Sequence, residues 1–217
     1  MRDKSRKLSE VAYKALKNKI INMSGGSYIS ARQFADEIGI SYTPVREAFL
    51  RVQKEGSLKL VPNVGFFVES LGITDLIQIF QVRECIETFV LDKVFDRITK
   101  DHIKRMKEIS AKQSEELSRN RIFEYQLLDI KFHEILFVLY GNRPLLNFYR
   151  DIRDQYMICS KEIATVHSQN AVLEHANYFN CLESGDKEQA IDCLKNHINH
   201  ARERMTEGYI SVIEGGT

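Results

Sequence analysis

Apolar residues recur at helical spacing through the N-terminal third of the chain, which predicts three helices. The first spans residues 8–23 and ends at GGS, and the second, ARQFADEIG, stops at Gly39, a residue suited to the left-handed turn after a helix. The third follows directly and runs to about residue 54. The expected apolar positions are Leu8, Val11, Ala15, Leu16, Ile20 and Met23 on the first helix, and Val45, Ala48, Phe49 and Val52 on the third.

The pattern changes after Gly56, where LKLV and FFVES predict two strands joined by the turn PNVG. Two helices joined by a tight turn, followed by a hairpin, are typical of a winged helix-turn-helix. The polar start of the third helix, with Tyr42, Thr43 and Arg46, is where a recognition helix meets DNA. The alternative is a small helical domain with a hairpin and no role in DNA binding.

From Thr74 onward the pattern is helical almost throughout. Short connections between the segments favour antiparallel neighbours in a bundle. The sequence therefore predicts a mainly α protein, with a winged helix-turn-helix in residues 1–70 and an all-α antiparallel helical bundle in residues 71–217. The predicted bundle helices are 74–97, 99–118, 121–140, 143–165, 168–184 and 186–212.

Charge divides the chain at the same place. The first 70 residues carry 12 basic and 7 acidic side chains, and the remainder carries 19 basic and 23 acidic side chains together with all six histidines. A basic module followed by an acidic, histidine-containing module indicates two different tasks. No membrane span or signal segment is evident, so we expect a cytoplasmic protein without a membrane partner. The four cysteines form no CxxC pair, which predicts reduced, buried side chains.

The segment LLDIKFHEIL contains the most unusual pair of side chains. Asp129 and His133 lie four residues apart, so they stack on one helix face among apolar neighbours. A hydrogen-bonded Asp–His pair, or a solvated pair on the outer face, would explain them. However, His175 and His197 also lie in helices with apolar faces, and one carboxylate with three imidazoles suits a borderline divalent ion such as Zn²⁺ or Ni²⁺.

For each of these histidines taken singly, a hydrogen-bonded core or surface residue is the more common explanation. We expect the other three, His102, His167 and His200, to be exposed. His200 lies three residues from His197, which would allow it to contact a ligand of the ion.

The stretch SARQFADEIGISYTPVREAFLRVQKEGSLKLVPNVGFFV resembles the DNA-binding domain of the GntR family of bacterial transcription regulators. The resemblance implies that Arg32, Thr43 and Arg46 contact DNA, and we expect Tyr42 and Asn63 at the same interface. Many relatives have arginine where this chain has Tyr42. Tyrosine donates to a phosphate but does not read guanine through two hydrogen bonds, so the operator bases do not follow from the family.

Residues 75–205 resemble the FCD ligand-binding domain, through QVRECIE, DIKFH, YGNRPLL, LEH and SGDKEQAIDCLKNHI. The metal-binding members of that family imply that Asp129, His133, His175 and His197 bind one divalent transition metal per chain. They further imply a small carboxylate effector near Arg83 and Asn142. Arg83 would alternatively pair with Glu87 on the surface, and Asn142 would alternatively cap a helix.

The two resemblances together imply a homodimeric transcription regulator, most often a repressor, that binds a pseudo-palindromic double-stranded operator. A small organic acid at the metal site would control its DNA affinity. Two alternative functions are compatible with the same residues. One is a metal-dependent, hydrolase-like enzyme, and the other is a regulator whose metal is structural or is itself the signal.

Overall fold

The computed structural model describes residues 2–23, 25–69, 72–160 and 168–215. The chain divides into two compact units, Met1–Gly72 with Asp154–Lys161, and Ile73–Arg153 with Glu162–Thr217. Each unit has its own buried apolar side chains, and each is described separately below.

The first unit contains three helices and a small sheet. Its three strands are antiparallel, and the strand Gly65–Val68 lies between Tyr28–Ile29 and Leu58–Val61, with Tyr28 opposite Phe67 and Leu60 opposite Phe66. This arrangement confirms the winged helix-turn-helix and adds the strand Tyr28–Ile29, which the sequence pattern did not predict. The elements are α1 (Arg2–Asn22), β1 (Tyr28–Ile29), α2 (Ala31–Ile38), α3 (Tyr42–Lys54), β2 (Leu58–Val61) and β3 (Gly65–Val68).

The turn between α2 and α3 follows from local sequence. The Ser30 hydroxyl accepts a hydrogen bond from the backbone of Gln33 at the start of α2, and Gly39 ends the helix in the left-handed region at φ 65°. Helix α3 then buries the four apolar residues expected of it. Ring contacts from Phe49 to Phe34 and Phe66 join α3 to α2 and to the sheet.

The expected apolar face of α1 is partly wrong. Val11 is 55% exposed and Leu8 also lies at the surface, whereas Ala12, Leu16 and Ile20 are fully buried. These three residues are spaced by four and form the stripe that packs inward, and Val11 lies one position off it. The helix also begins earlier than expected, at Arg2.

The second part of the chain is helical, as expected. A 3-10 turn, Phe95–Arg97, follows the helix Ile73–Val94, and the last helix, Lys187–Gly215, extends three residues beyond its predicted end. Residues 161–165 of the predicted helix 143–165 lie outside the described residues. The helices are α4 (Ile73–Val94), α5 (Lys100–Ser118), α6 (Ile122–Tyr140), α7 (Arg143–Ser160), α8 (Ser168–Glu183) and α9 (Lys187–Gly215). Among the described residues, no helix has the length and apolar character needed to cross a bilayer.

The cysteines differ from the prediction. Cys181 on α8 and Cys193 on α9 form a disulfide, and Cys85 is exposed with a free thiol. Cys181 is buried as expected but oxidised, Cys193 is half-buried and oxidised, and Cys85 is reduced as expected but exposed. The prediction of reduced side chains fails for Cys181 and Cys193 because helix packing brings them together across a sequence separation of 12. The side chain of Cys159 lies outside the described part of the structure.

Candidate functional site

Four side chains from three helices meet in the second unit. Each of Asp129, His133, His175 and His197 offers one donor atom, and these atoms all lie within 4.8 Å of one another. The three imidazoles are buried and Asp129 is half-buried. The structure therefore brings together all four residues that the sequence analysis selected as metal ligands.

Helical geometry and ring stacking hold the cluster in place. Asp129 and His133 lie one turn apart on α6, while His175 comes from α8 and His197 from α9. The ring of Phe132 stacks on His175 at 4.0 Å between centroids, and the rings of His133 and His197 stack at 5.2 Å. The imidazoles are thus fixed by apolar and aromatic contacts as well as by the helices that carry them.

Two carboxylates lie next to the Nδ1 atoms of two of the imidazoles and orient these rings. Nδ1 of His133 lies 2.9 Å from Oε2 of Glu87 on α4, and Nδ1 of His197 lies 2.9 Å from Oε2 of Glu174 on α8. A proton on each Nδ1 leaves Nε2 as the lone-pair donor. Histidines that bind metals generally donate their other N–H to a carboxylate or carbonyl in this way.

Buried nitrogens without partners mark the centre of the cluster. Within the described ranges, Nε2 of His133 and both ring nitrogens of His175 have no hydrogen-bond partner. Nε2 of His175 lies 3.5 Å from Oδ1 of Asp129. Buried polar atoms are almost always satisfied, so an electron-pair acceptor between these atoms fits the site. The residues present therefore suit a divalent ion.

Two buried arginines hold the acidic side chains of the site. Arg153 on α7, which is completely buried, forms an ion pair with Oδ2 of Asp129. Arg83 on α4 donates from Nε to Oε1 of Glu87 at 2.8 Å. The predicted Arg83–Glu87 pair at i, i+4 is therefore present, but its predicted surface location is wrong, because both side chains are buried inside the unit.

Burial and charge fix the protonation of the site. Burial raises the pKa of Asp129, but the positive charge of Arg153, with smaller effects from His133 and His175, outweighs burial and holds that pKa well below its usual range. Burial lowers the pKa of His175 well below 6.5, and burial also lowers that of His197 despite the hydrogen bond to Glu174. His175 and His197 are therefore neutral at neutral pH, which is the form that binds a metal.

Sequence reasoning missed several of these residues. Glu87 entered only as a partner of Arg83, and Arg153, Glu174 and the buried Gln113, which donates to Asp129 at 3.3 Å, were not selected. Glu174 precedes His175 directly, but its partner His197 lies 23 residues further on. No spacing rule connects residues that meet only through packing of separate helices.

The remaining predicted residues of this unit have local roles. Asn142 is exposed, and its side-chain carbonyl accepts from the backbone of Leu145, so it caps α7 as the alternative predicted. His200 is exposed, with Nδ1 3.2 Å from Oε1 of Glu174. His102 is half-buried in a capping box with Thr99 at the start of α5. His167 lies outside the described residues.

The five predicted DNA contacts are all exposed in the first unit. Arg32 lies on α2, and Tyr42, Thr43 and Arg46 lie on the first two turns of α3. The guanidinium of Arg32 lies over the ring of Tyr42, 5.8 Å from its centroid. Asn63 takes a left-handed backbone conformation, φ 63°, in the turn between β2 and β3. These positions remain predicted DNA contacts.

Comparison with protein families gives two matches along the chain. The model of the FCD domain matches residues 78–200, which is more than half of the sequence. The model of the bacterial regulatory proteins of the gntR family matches residues 8–68. Together the two matches account for residues 8–68 and 78–200, which is most of the chain.

Curated proteins with similar sequences are transcription regulators. The HTH-type transcriptional regulator YdhC of Bacillus subtilis is 28% identical over 199 residues, covering 89% of this chain and 88% of YdhC. The gluconate operon transcriptional repressor of the same organism is 20% identical over 210 residues, covering 93% of this chain and 86% of the repressor.

Solved structures share the fold. Escherichia coli McbR/YncC superposes with a TM-score of 0.83 at 18% identity, covering 93% of this chain and 98% of that one. The metal-free FCD domain of TM0439 superposes with a TM-score of 0.55 at 19% identity, covering 65% of this chain and 99% of that domain. At these identities the likeness concerns the fold alone.

Proposed function

Because the chain belongs to the GntR family of bacterial regulatory proteins and carries an FCD domain, we propose that it is a repressor whose operator affinity depends on a small organic acid bound at a metal site. Its family and relatives are transcription regulators and not enzymes, which removes the hydrolase alternative. The observation that carries the proposal is the convergence of Asp129, His133, His175 and His197 around partnerless buried nitrogens.

The metal part of the proposal rests on the donor set. Three imidazole nitrogens and one carboxylate suit Zn²⁺ or Ni²⁺, and four protein ligands leave room for a further ligand on a five- or six-coordinate ion. A bound cation in a buried site would supply a strong electrostatic anchor for a carboxylate. Arg83, which is buried and paired with Glu87, is proposed to contact the same effector, and Asn142 stays a weaker candidate.

The DNA-binding part rests on the exposed face of the first unit. The exposed residues that would contact a double-stranded operator are Arg32, Tyr42, Thr43, Arg46 and Asn63. In a homodimer, two such units related by a two-fold axis would read a pseudo-palindromic site. We assign DNA binding to residues 1–70, effector binding and dimerisation to residues 71–217, and the whole protein to the cytoplasm.

DNA binding is tested by selecting duplexes from a random pool and measuring affinity and its salt dependence. Arg46→Ala should cost about 1–3 kcal/mol if Arg46 contacts a base, or reduce the salt slope by about one if it contacts a phosphate. Lys54→Ala, an exposed change at the far end of the same helix, is the matched control. Equal binding by Arg46→Ala and wild type would remove Arg46 from the interface.

Effector control is tested by separate titrations of metal and of organic acid against the selected duplex. An acid that weakens DNA binding only when metal is present supports the proposal. Metal alone changing DNA affinity would identify the ion as the signal. Metal binding with no effect of either titration on DNA affinity would make the ion structural.

A further inference from the structure

Among the buried polar atoms near the cluster that a metal ion does not explain is a tyrosine hydroxyl. The hydroxyl of Tyr178 is buried, with the side chain only 1% exposed, and it has no hydrogen-bond partner among the residues described. Tyr178 follows His175 by three residues on α8, so both side chains point from the same helix face. A phenol is not a usual ligand for the ion that the imidazoles suit, so the metal itself does not account for this hydroxyl.

Ring contacts through Phe132 connect Tyr178 to the cluster. Its ring lies 6.3 Å from that of Phe132, and Phe132 stacks on His175 at 4.0 Å. Burial, together with the negative charge of Glu87, raises the pKa of Tyr178, so the phenol is protonated at neutral pH. A protonated phenol is a hydrogen-bond donor, and the group that completes it must be an acceptor.

A second buried tyrosine shows what a satisfied hydroxyl looks like in this fold. Tyr149 on α7 is also fully buried, and its hydroxyl donates to the backbone carbonyl of Ile130 at 3.2 Å. A buried tyrosine in this fold can therefore have a hydrogen-bond partner within the chain. Leaving a buried donor unsatisfied is unfavourable, which points to a partner that binds from outside the chain.

We propose that the Tyr178 hydroxyl donates a hydrogen bond to the acidic effector and is a specificity-determining residue of its site. The inference rests on the proposed function. The hydroxyl of Tyr178 would donate to an oxygen atom of the same acidic effector whose carboxylate the ion would bind. The ion supplies charge, whereas the hydroxyl supplies a directed donor. A site that hydrogen-bonds its ligand through a buried group discriminates strongly against molecules that lack the matching acceptor.

The test compares Tyr178→Phe with Tyr149→Phe in the full-length, zinc-loaded protein. Acetate, lactate, succinate and malate are titrated by calorimetry, and zinc content and thermal midpoint are measured for each variant. For any acid that binds the wild type, Tyr178→Phe should weaken binding by about tenfold or more, as expected for a lost hydrogen bond to a charged group. Its zinc content should not change, and its acid-free thermal midpoint should stay equal or rise.

The control variant, Tyr149→Phe, should change thermal stability and not acid affinity. Tyr149→Phe should lower the thermal midpoint and leave acid affinity within about twofold, because it removes an internal hydrogen bond only. Unchanged acid affinity in Tyr178→Phe would overturn the inference while leaving the acid-sensing function standing. If none of the four acids binds the zinc-loaded wild type, acid sensing itself fails, and the role of Tyr178 fails with it.

Discussion

Glu174 connects a predicted metal ligand to charged residues of α9. Its Oε2 lies 2.9 Å from Nδ1 of His197, and Arg204 donates two hydrogen bonds to the same carboxylate. Burial raises the pKa of Glu174, but the hydrogen bonds from His197 and Arg204 outweigh burial and lower that pKa to about 2. Glu174 is therefore ionised at neutral pH and acts as a positioning residue, because it orients an imidazole and does not itself touch the ion.

Replacing this carboxylate should weaken metal binding without removing a ligand. Glu174→Gln should lower metal affinity by about 10- to 100-fold, the usual cost of losing a carboxylate behind a metal-bound histidine. Glu183→Gln is the matched control, since Glu183 lies on the same helix and pairs with Lys107 at the surface. Competition with a chelator of known affinity measures both variants. Equal metal affinity in Glu174→Gln and wild type would remove the orienting role.

Single residues also mark the limit of what the sequence predicts. Asp129 and His133 were recognisable because they lie at i, i+4 on one helix among apolar neighbours. Arg153 and Tyr178 were not, because arginine and tyrosine at helical spacing have many ordinary explanations. Only the packing of the helices shows that Arg153 pairs with Asp129 and that the buried hydroxyl of Tyr178 has no partner among the described residues.

At the level of helices, the disulfide between Cys181 and Cys193 joins the two elements that carry His175 and His197. It closes a loop with a sequence separation of 12 residues. A cross-link of that size stabilises a fold by about 2–3 kcal/mol, mainly by restricting the unfolded chain. Reduction should therefore weaken the α8–α9 pair and with it the geometry of the two imidazoles.

Cysteine replacement tests this link. Cys193→Ser should lower the unfolding free energy of the oxidised protein by about 2–3 kcal/mol and abolish its sensitivity to a thiol reductant. Cys85→Ser, which changes the exposed free thiol, should have little effect. Urea unfolding with and without reductant provides the measurement. A wild-type protein whose intact mass and stability do not respond to the reductant would contradict the link.

Elements were predicted better than their edges. The helical period and the stop at Gly39 identified α2 and α3, whose buried faces agree with the sequence pattern. The two-residue strand β1 was missed, because Tyr28 and Ile29 are too few to show an alternating pattern and pair only through β3. The inward face of α1 was assigned partly wrongly, since Val11 is apolar and exposed. The pairing of β1 and the inward face of α1 depend on the elements they pack against, and the sequence of a single segment does not show those contacts.

For the whole molecule, the buried histidines predict how stability depends on pH when no metal is bound. The folded protein holds His175 and His197 with lowered pKa values, whereas the unfolded chain titrates them near 6.5. Below pH 6.5 the unfolded chain therefore takes up protons that the folded chain does not. Their contribution to stability is complete above pH 6.5 and is lost as the pH falls towards the lowered values.

Unfolding of metal-stripped protein between pH 7.5 and 5.5 measures this effect. Stability should fall on acidification by up to about 1.4 kcal/mol per pH unit for each histidine. The control is a His175→Gln, His197→Gln double variant, whose stability should change less over the same interval. The carboxylates contribute at lower pH, since their usual pKa values are near 4. A wild-type stability that is flat or rises on acidification would contradict the neutral, buried state of these imidazoles.

The most direct test of the account is the metal content of the purified protein after growth with zinc and nickel supplied. Elemental analysis should find about one divalent transition-metal ion per chain, because four converging donors form one site. The His133→Ala, His175→Ala double variant should lose the ion, and His200→Ala, at an exposed position, should keep it. Metal content near zero in the wild type, or an ion retained in the double variant, would contradict the assignment of Asp129, His133, His175 and His197 as its ligands.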